Sequence, residues 1–135
     1  MATAKVVYQG QLRTQATHLA SGNEITTDAP VDNHGKGQAF SPTDLVTSAL
    51  GSCLMTIMGI KAESLGVDLT GMHAEVTKIM ATSPRRIAEI HVSMHMPSTI
   101  DATHRQQLEA VALACPVSQS LHPETKQHIQ FHYDT

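Results

Sequence analysis

The stretch that opens "SPTDLVTSALGSCLMTIMGI", residues 41 to 60, constrains the fold more than any other part of the chain. Ser41 is placed to cap a helix, Pro42 to occupy its first position, and Asp44 to complete a capping box. Gly66 supplies the residue that accepts the left-handed conformation in which many helices end. A helix running to about Ser64 rises roughly 35 Å, about the diameter of a domain. From Leu45 to Ile60 it is apolar nearly all round, and Ala49, Gly51, Ser52 and Gly59 admit close backbone approach. Such a helix is expected to be buried on several sides, at the centre of the fold. Its apolar run contains Thr47, Ser48, Ser52 and Thr56 and is shorter than the roughly 20 residues a bilayer requires, so no membrane span is expected.

The remaining pattern supplies the layers around this helix. Residues 4 to 9 and roughly 11 to 18 read as two strands joined near Gly10, and "NEITTDAP" as a third. "APVDNHGKGQAFSP" is a loop broken by glycine and proline, and it lacks the spacing of a phosphate-binding loop. After the helix, "LTGMHAEVTKIMA" and "RIAEIHVSMHMP" alternate around "TSPRR" and predict a hairpin. In the second run Ile90, Val92, Met94 and Met96 point one way, and His91, Ser93 and His95 the other. Asp101 or Thr99 is placed to cap a second helix through "HRQQLEAVALA", Pro116 to start a further helical turn, and "HIQFHYD" to form a last strand. Strands, long helix, hairpin, helix and strand make an α+β fold, a mainly antiparallel sheet packed on two helices, in one domain over residues 1–135.

Composition excludes several function classes. With 41% hydrophobic and 16% charged residues over 135 positions, the chain can bury a core and is not a disordered segment. The net charge of -3, the absence of Trp and the presence of only two Tyr and two Phe argue against a nucleic-acid surface. "MATAKVVYQG" does not read as a secretory signal, so a cytoplasmic protein is expected.

Two cysteines, Cys53 and Cys115, stand apart without metal-ligand spacing. In a reducing compartment a structural disulfide is not expected. The residues leave two alternatives: inert core thiols, or a redox pair. Cys53 lies on the buried helix, where a free cysteine is ordinary filler. Cys115 lies at a helix-to-proline junction, where unpaired N–H groups of the next turn favour a thiolate.

"FSPTDLVTSALGSCLMTI" together with "ACPVSQSL" resembles the OsmC/Ohr family of thiol-dependent peroxidases. The likeness covers the order of elements, the Pro-to-Cys spacing of the long helix and the Cys-Pro-x-Ser motif at Cys115. It implies an intertwined homodimer in which Cys53 matches the peroxidatic thiol and Cys115 the resolving thiol. The implied activity is reduction of an organic hydroperoxide, with an external dithiol as reductant and no cofactor. The best-characterised peroxidases of the family carry Glu directly after the helix-starting proline, paired with an arginine that activates the thiolate. This chain has Thr43 there, and Arg13, on an early strand, is the candidate arginine. Asp44 reads as a cap, since in an ideal helix it lies about 180° round from Cys53. The Thr43 departure keeps a second expectation open: a non-catalytic dimer of the same fold that binds a hydrophobic small molecule.

Nine histidines raise the question of a metal. His91 and His95 share one strand face, as do His128 and His132, but residues four apart on a strand lie ~13 Å apart. One histidine from each strand would still need a third ligand. These residues are therefore expected to be polar strand faces, without a metal. His18 and His34 are further candidates for a positive charge near the thiols.

Overall fold

In the computed structural model, which describes residues 1–135, alternation and punctuation lay out the elements along the chain. The strands are β1 (Ala4–Gly10), β2 (Arg13–His18), β3 (Glu24–Asp28), β4 (His73–Thr82), β5 (Arg85–His95) and β6 (Lys126–His132). The helices are α1 (Pro42–Leu65), α2 (Ala102–Ala112) and the short α3 (Pro116–Ser120). Two compact units are distinguished, Met1–Val46 and Thr47–Thr135, with α1 beginning in the first and ending in the second.

The first unit holds the antiparallel sheet β1-β2-β3. Gly10, Gln11 and Leu12 turn the chain with φ of 83°, 55° and 63°. Leucine is uncommon in that left-handed region, and its N–H is held by Tyr8 Oη at 3.2 Å. The glycine-rich loop is pinned to the end of β3. Gly35 N–H donates to Pro30 O, Gly37 N–H to Ala29 O, and Asp28 N–H to Phe40 O. Gly35 is obligatory there, because a Cβ would lie 1.7 Å from Ala29 O.

The second unit holds the sheet β4-β5-β6, so the single sheet expected from the sequence is divided into two. β4 and β5 form the expected antiparallel hairpin, whereas β5 and β6 run parallel. A parallel pair needs a long crossover, and α2 with α3 supplies it. Asp101 caps α2, accepting from His104 N–H at 2.9 Å. The core of this unit joins Leu50, Leu54 and Met58 of α1 to Ile90, Val92 and Met94 of β5 and Leu108 of α2.

Helix α1 departs from expectation in one respect. Within the chain its buried residues form a single stripe, chiefly Leu50, Leu54, Met58 and Ala62 at intervals of one turn. Ile60 is 63% exposed and Val46 38%. The sequence measures how apolar a helix is, but not how many sides its own chain covers. By length and composition alone α1 also meets the requirement for crossing a membrane, with mean hydropathy 1.5 over 18 residues, contrary to the length argument above. Its buried stripe makes it the core helix of the second unit. At its end Gly66 has φ 67°, and Val67 N–H returns to Ala62 O at 2.9 Å, as the glycine signal implied.

Candidate functional site

The start of α1 is a reciprocal capping box. Asp44 N–H donates to Ser41 Oγ at 3.1 Å, and Ser41 N–H to Asp44 Oδ2 at 2.9 Å. Asp44 therefore serves the helix end. Thr43 Oγ1 lies 3.2 Å from Ser41 Oγ in the same cap.

The structure brings Cys53 and Cys115 together. Cys53 sits beside the buried stripe of α1, packed against the core but partly exposed. Cys115 is wholly buried. The chain leaves α2 through a turn in which Cys115 N–H bonds Ala112 O at 3.2 Å, and Cys115 then becomes the N-cap of α3. Pro116 occupies the first position, where its fixed φ suits a helix start. Ser118 N–H donates to Cys115 Sγ at 3.5 Å. Gln127 Nε2 in turn donates to Ser118 O at 3.1 Å, tying α3 and its cysteine to β6.

Burial pushes the Cys115 thiol above its ordinary value of 9.0, and the hydrogen bond with Cys53 pushes the same way. The N–H groups of Ser118 and Val117 oppose them. Cys115 is thus held as a thiol, with its S–H available to a neighbouring sulfur.

Arg13 belongs to a different network, within the first unit. Its guanidinium donates to Asp28 Oδ2 at 3.2 Å and to Gln38 Oε1 at 2.9 Å. Asp28, 1% exposed, also accepts Gln38 N–H at 3.0 Å. That N–H, with Arg13 assisting, holds the Asp28 carboxyl below its ordinary value of 3.8 against the opposing effect of burial. Asp28 was not singled out from the sequence, where it is one acidic residue at a strand end. The only hint is its place before Ala-Pro, where β3 stops. His18 Nδ1 lies 2.6 Å from Ser21 Oγ, and His34 is exposed with φ 67°.

Known proteins share the fold. The family model described as OsmC-like protein matches residues 35–130. A solved structure from Psychrobacter arcticus 273-4, described as an osmotic stress induced and detoxification response protein, is 52% identical over 98% of this chain and 96% of that one, with TM-score 0.94. An organic hydroperoxide resistance protein OsmC from Legionella pneumophila shares the fold with TM-score 0.72 at 15% identity, over 98% of both chains. The organic hydroperoxide resistance protein OhrB of Bacillus subtilis does so with TM-score 0.68 at 17% identity, over 96% of this chain and 98% of that one. Among curated proteins none matches significantly. With the family's pattern matched over most of its length and a 52% identical relative of the same fold, the chain belongs to the OsmC-like protein family.

Proposed function

We propose that the protein reduces organic hydroperoxides, with Cys53 as the attacking thiol and Cys115 as the resolving thiol. The observation that carries this reading is the nearness of two thiols set on different elements, one partly exposed and one wholly buried, with Cys53 helping to raise the pKa of Cys115. A peroxide arriving from solvent meets Cys53 first. The Cys53 thiolate attacks the distal oxygen of R–OOH and the O–O bond breaks. The alkoxide leaves and takes a proton as R–OH, and Cys53 becomes a sulfenic acid. The Cys115 sulfur then displaces water from the sulfenic sulfur, forming the disulfide, and an external dithiol restores both thiols by exchange. The Ser118 and Val117 N–H groups favour negative charge on Cys115 at the moment it attacks. A working state with two free thiols suits the reducing cytoplasm.

A homodimer fits the surfaces α1 leaves open. A groove of about 350 Å³ runs along Ser48, Gly51, Ser52 and Met55 of α1 and Ala74 and Val76 of β4. Small residues on a helix leave room for another element to approach closely, and a second copy of the chain would cover this apolar surface.

A second reading rests on Thr43. Its hydroxyl lies within the cap and provides no carboxylate. A dimer that binds a hydrophobic small molecule without turnover would keep the same core.

The test counts free thiols in the native protein before and after one equivalent of cumene hydroperoxide. Loss of both thiols in the parent, with a trappable sulfenic acid accumulating only in Cys115→Ser, is the expected result. Thiols that survive peroxide and react only after unfolding would sink the peroxidase reading in favour of the second.

A further inference from the structure

The outer face of the second sheet carries a cluster that thiol chemistry does not use. β5 and β6 lie parallel with His91 opposite His128 and His95 opposite His132, and β4 sets His73 opposite His95. Because alternate residues project to the same side, Glu89, His91 and His95 all face away from the buried Ile90, Val92 and Met94. Two rows of imidazoles result. His91 stacks on His128 with ring centroids 4.4 Å apart. Four residues further along both strands, His95 stacks on His73 at 4.8 Å and on His132 at 5.1 Å.

The rows differ in what their nitrogens meet. In the second, the Asp134 carboxylate occupies His95 Nδ1 at 2.9 Å. In the first, Glu89 Oε1 lies 2.8 Å from His128 Nε2 and 3.4 Å from His91 Nε2. His91 Nε2 is itself buried and has no hydrogen-bond partner, although 44% of the side chain is exposed. The three ligand atoms lie within 4.8 Å of one another.

We propose that Glu89, His91 and His128 form a site for a divalent transition-metal ion of the Zn²⁺ type, with at least one coordination position left to solvent. Glu89 is the third ligand that histidine spacing alone could not supply. Two imidazoles and one carboxylate suit Zn²⁺, Co²⁺ or Cu²⁺ better than Mg²⁺ or Ca²⁺, which prefer all-oxygen shells. Bonds of about 2.0–2.1 Å in a tetrahedral shell put ligand atoms about 3.3 Å apart. The two separations to Glu89 bracket that value. The remaining pair closes on it by at most about 1.5 Å when the two stacked rings, 19° from parallel, turn toward one another on their half-exposed face. An ion would also give the buried His91 nitrogen the partner it lacks. His95, ~13 Å along the strand from His91, cannot join the same ion.

The test titrates tag-free protein with Co²⁺ followed by visible absorption, then with Zn²⁺ in competition. One Co²⁺ per chain, without the intense near-ultraviolet band of thiolate ligation and displaced by Zn²⁺, is expected. Glu89→Gln and His128→Ala should each weaken binding at least tenfold, and His132→Ala, in the other row, should leave it unchanged. The proposal fails if no stoichiometric binding occurs or if the thiolate band appears, assigning the ion to Cys53 and Cys115. It fails equally if Glu89→Gln and His128→Ala bind like the parent, or if His132→Ala binds as poorly as they do.

Discussion

The two units of the chain bury opposite kinds of residue. In Met1–Val46 the buried positions are Thr27, Asp28 and Ser41, all polar, while Val6, Val7, Tyr8, Leu12 and Ile25 lie exposed on the strands and their turn. In Thr47–Thr135 the buried positions are mostly aliphatic, with Leu50, Leu54, Met58, Ile90, Met94 and Leu108 at 0% exposure. The second unit is organised by an apolar core, and the first by hydrogen bonds around a buried carboxylate. Hydrophobic burial is the dominant favourable term in folding, so the second unit anchors the stability of the chain. The first leaves these apolar side chains exposed within the chain.

The largest expected effect is in the apolar core. Leu54→Ala should cost about 3–4 kcal/mol in chemical denaturation, because it empties space that neighbours on β5 and α2 fill only in part. A cost below about 1 kcal/mol would mean that α1 is not locked into this core, and the contrast between the units would dissolve.

A smaller effect, dependent on pH, belongs to the polar unit. The Asp28 carboxyl is held below 3.8 in the folded chain, so the stability it contributes is complete above that value and is lost as pH falls through its folded value. Thermal unfolding followed from about pH 5 to pH 2 should show this loss. Asp28→Asn should lower the melting temperature at pH 5 and flatten the acid limb. An acid limb as steep as the parent's would show that other carboxylates govern it.

The smallest effect concerns the exposed strand residues. Ile25→Ser should change stability by less than about 0.5 kcal/mol where the protein is monomeric, and by more where it is dimeric. Solution mass measurements define the two regimes, the dimer appearing at twice the 14.5 kDa of the chain. The same change at every concentration would mean that no second copy covers this surface.

Much of the fold was legible because it follows local rules. The box at Ser41 and Asp44, the stop at Gly66 and the cap at Asp101 depend on groups within a few residues of one another. The strict alternation of β5 set its buried and polar faces before any partner strand was known. The same alternation could not reveal that β6 runs parallel to β5, since direction leaves no mark on a single strand. Nor could it separate one sheet from two.

The sequence by itself determined the elements, their order, the capped helix that carries Cys53 and the junction that carries Cys115. These rest on backbone hydrogen bonding and side-chain periodicity, which act over a turn or two of chain. Only the tertiary structure decided which groups meet across long separations. It set the Cys115 thiol against Cys53, buried Asp28 beneath Arg13 and Gln38, and placed Glu89 between His91 and His128. Such meetings depend on strand register and helix packing, where a shift of one residue turns every side chain to the other face.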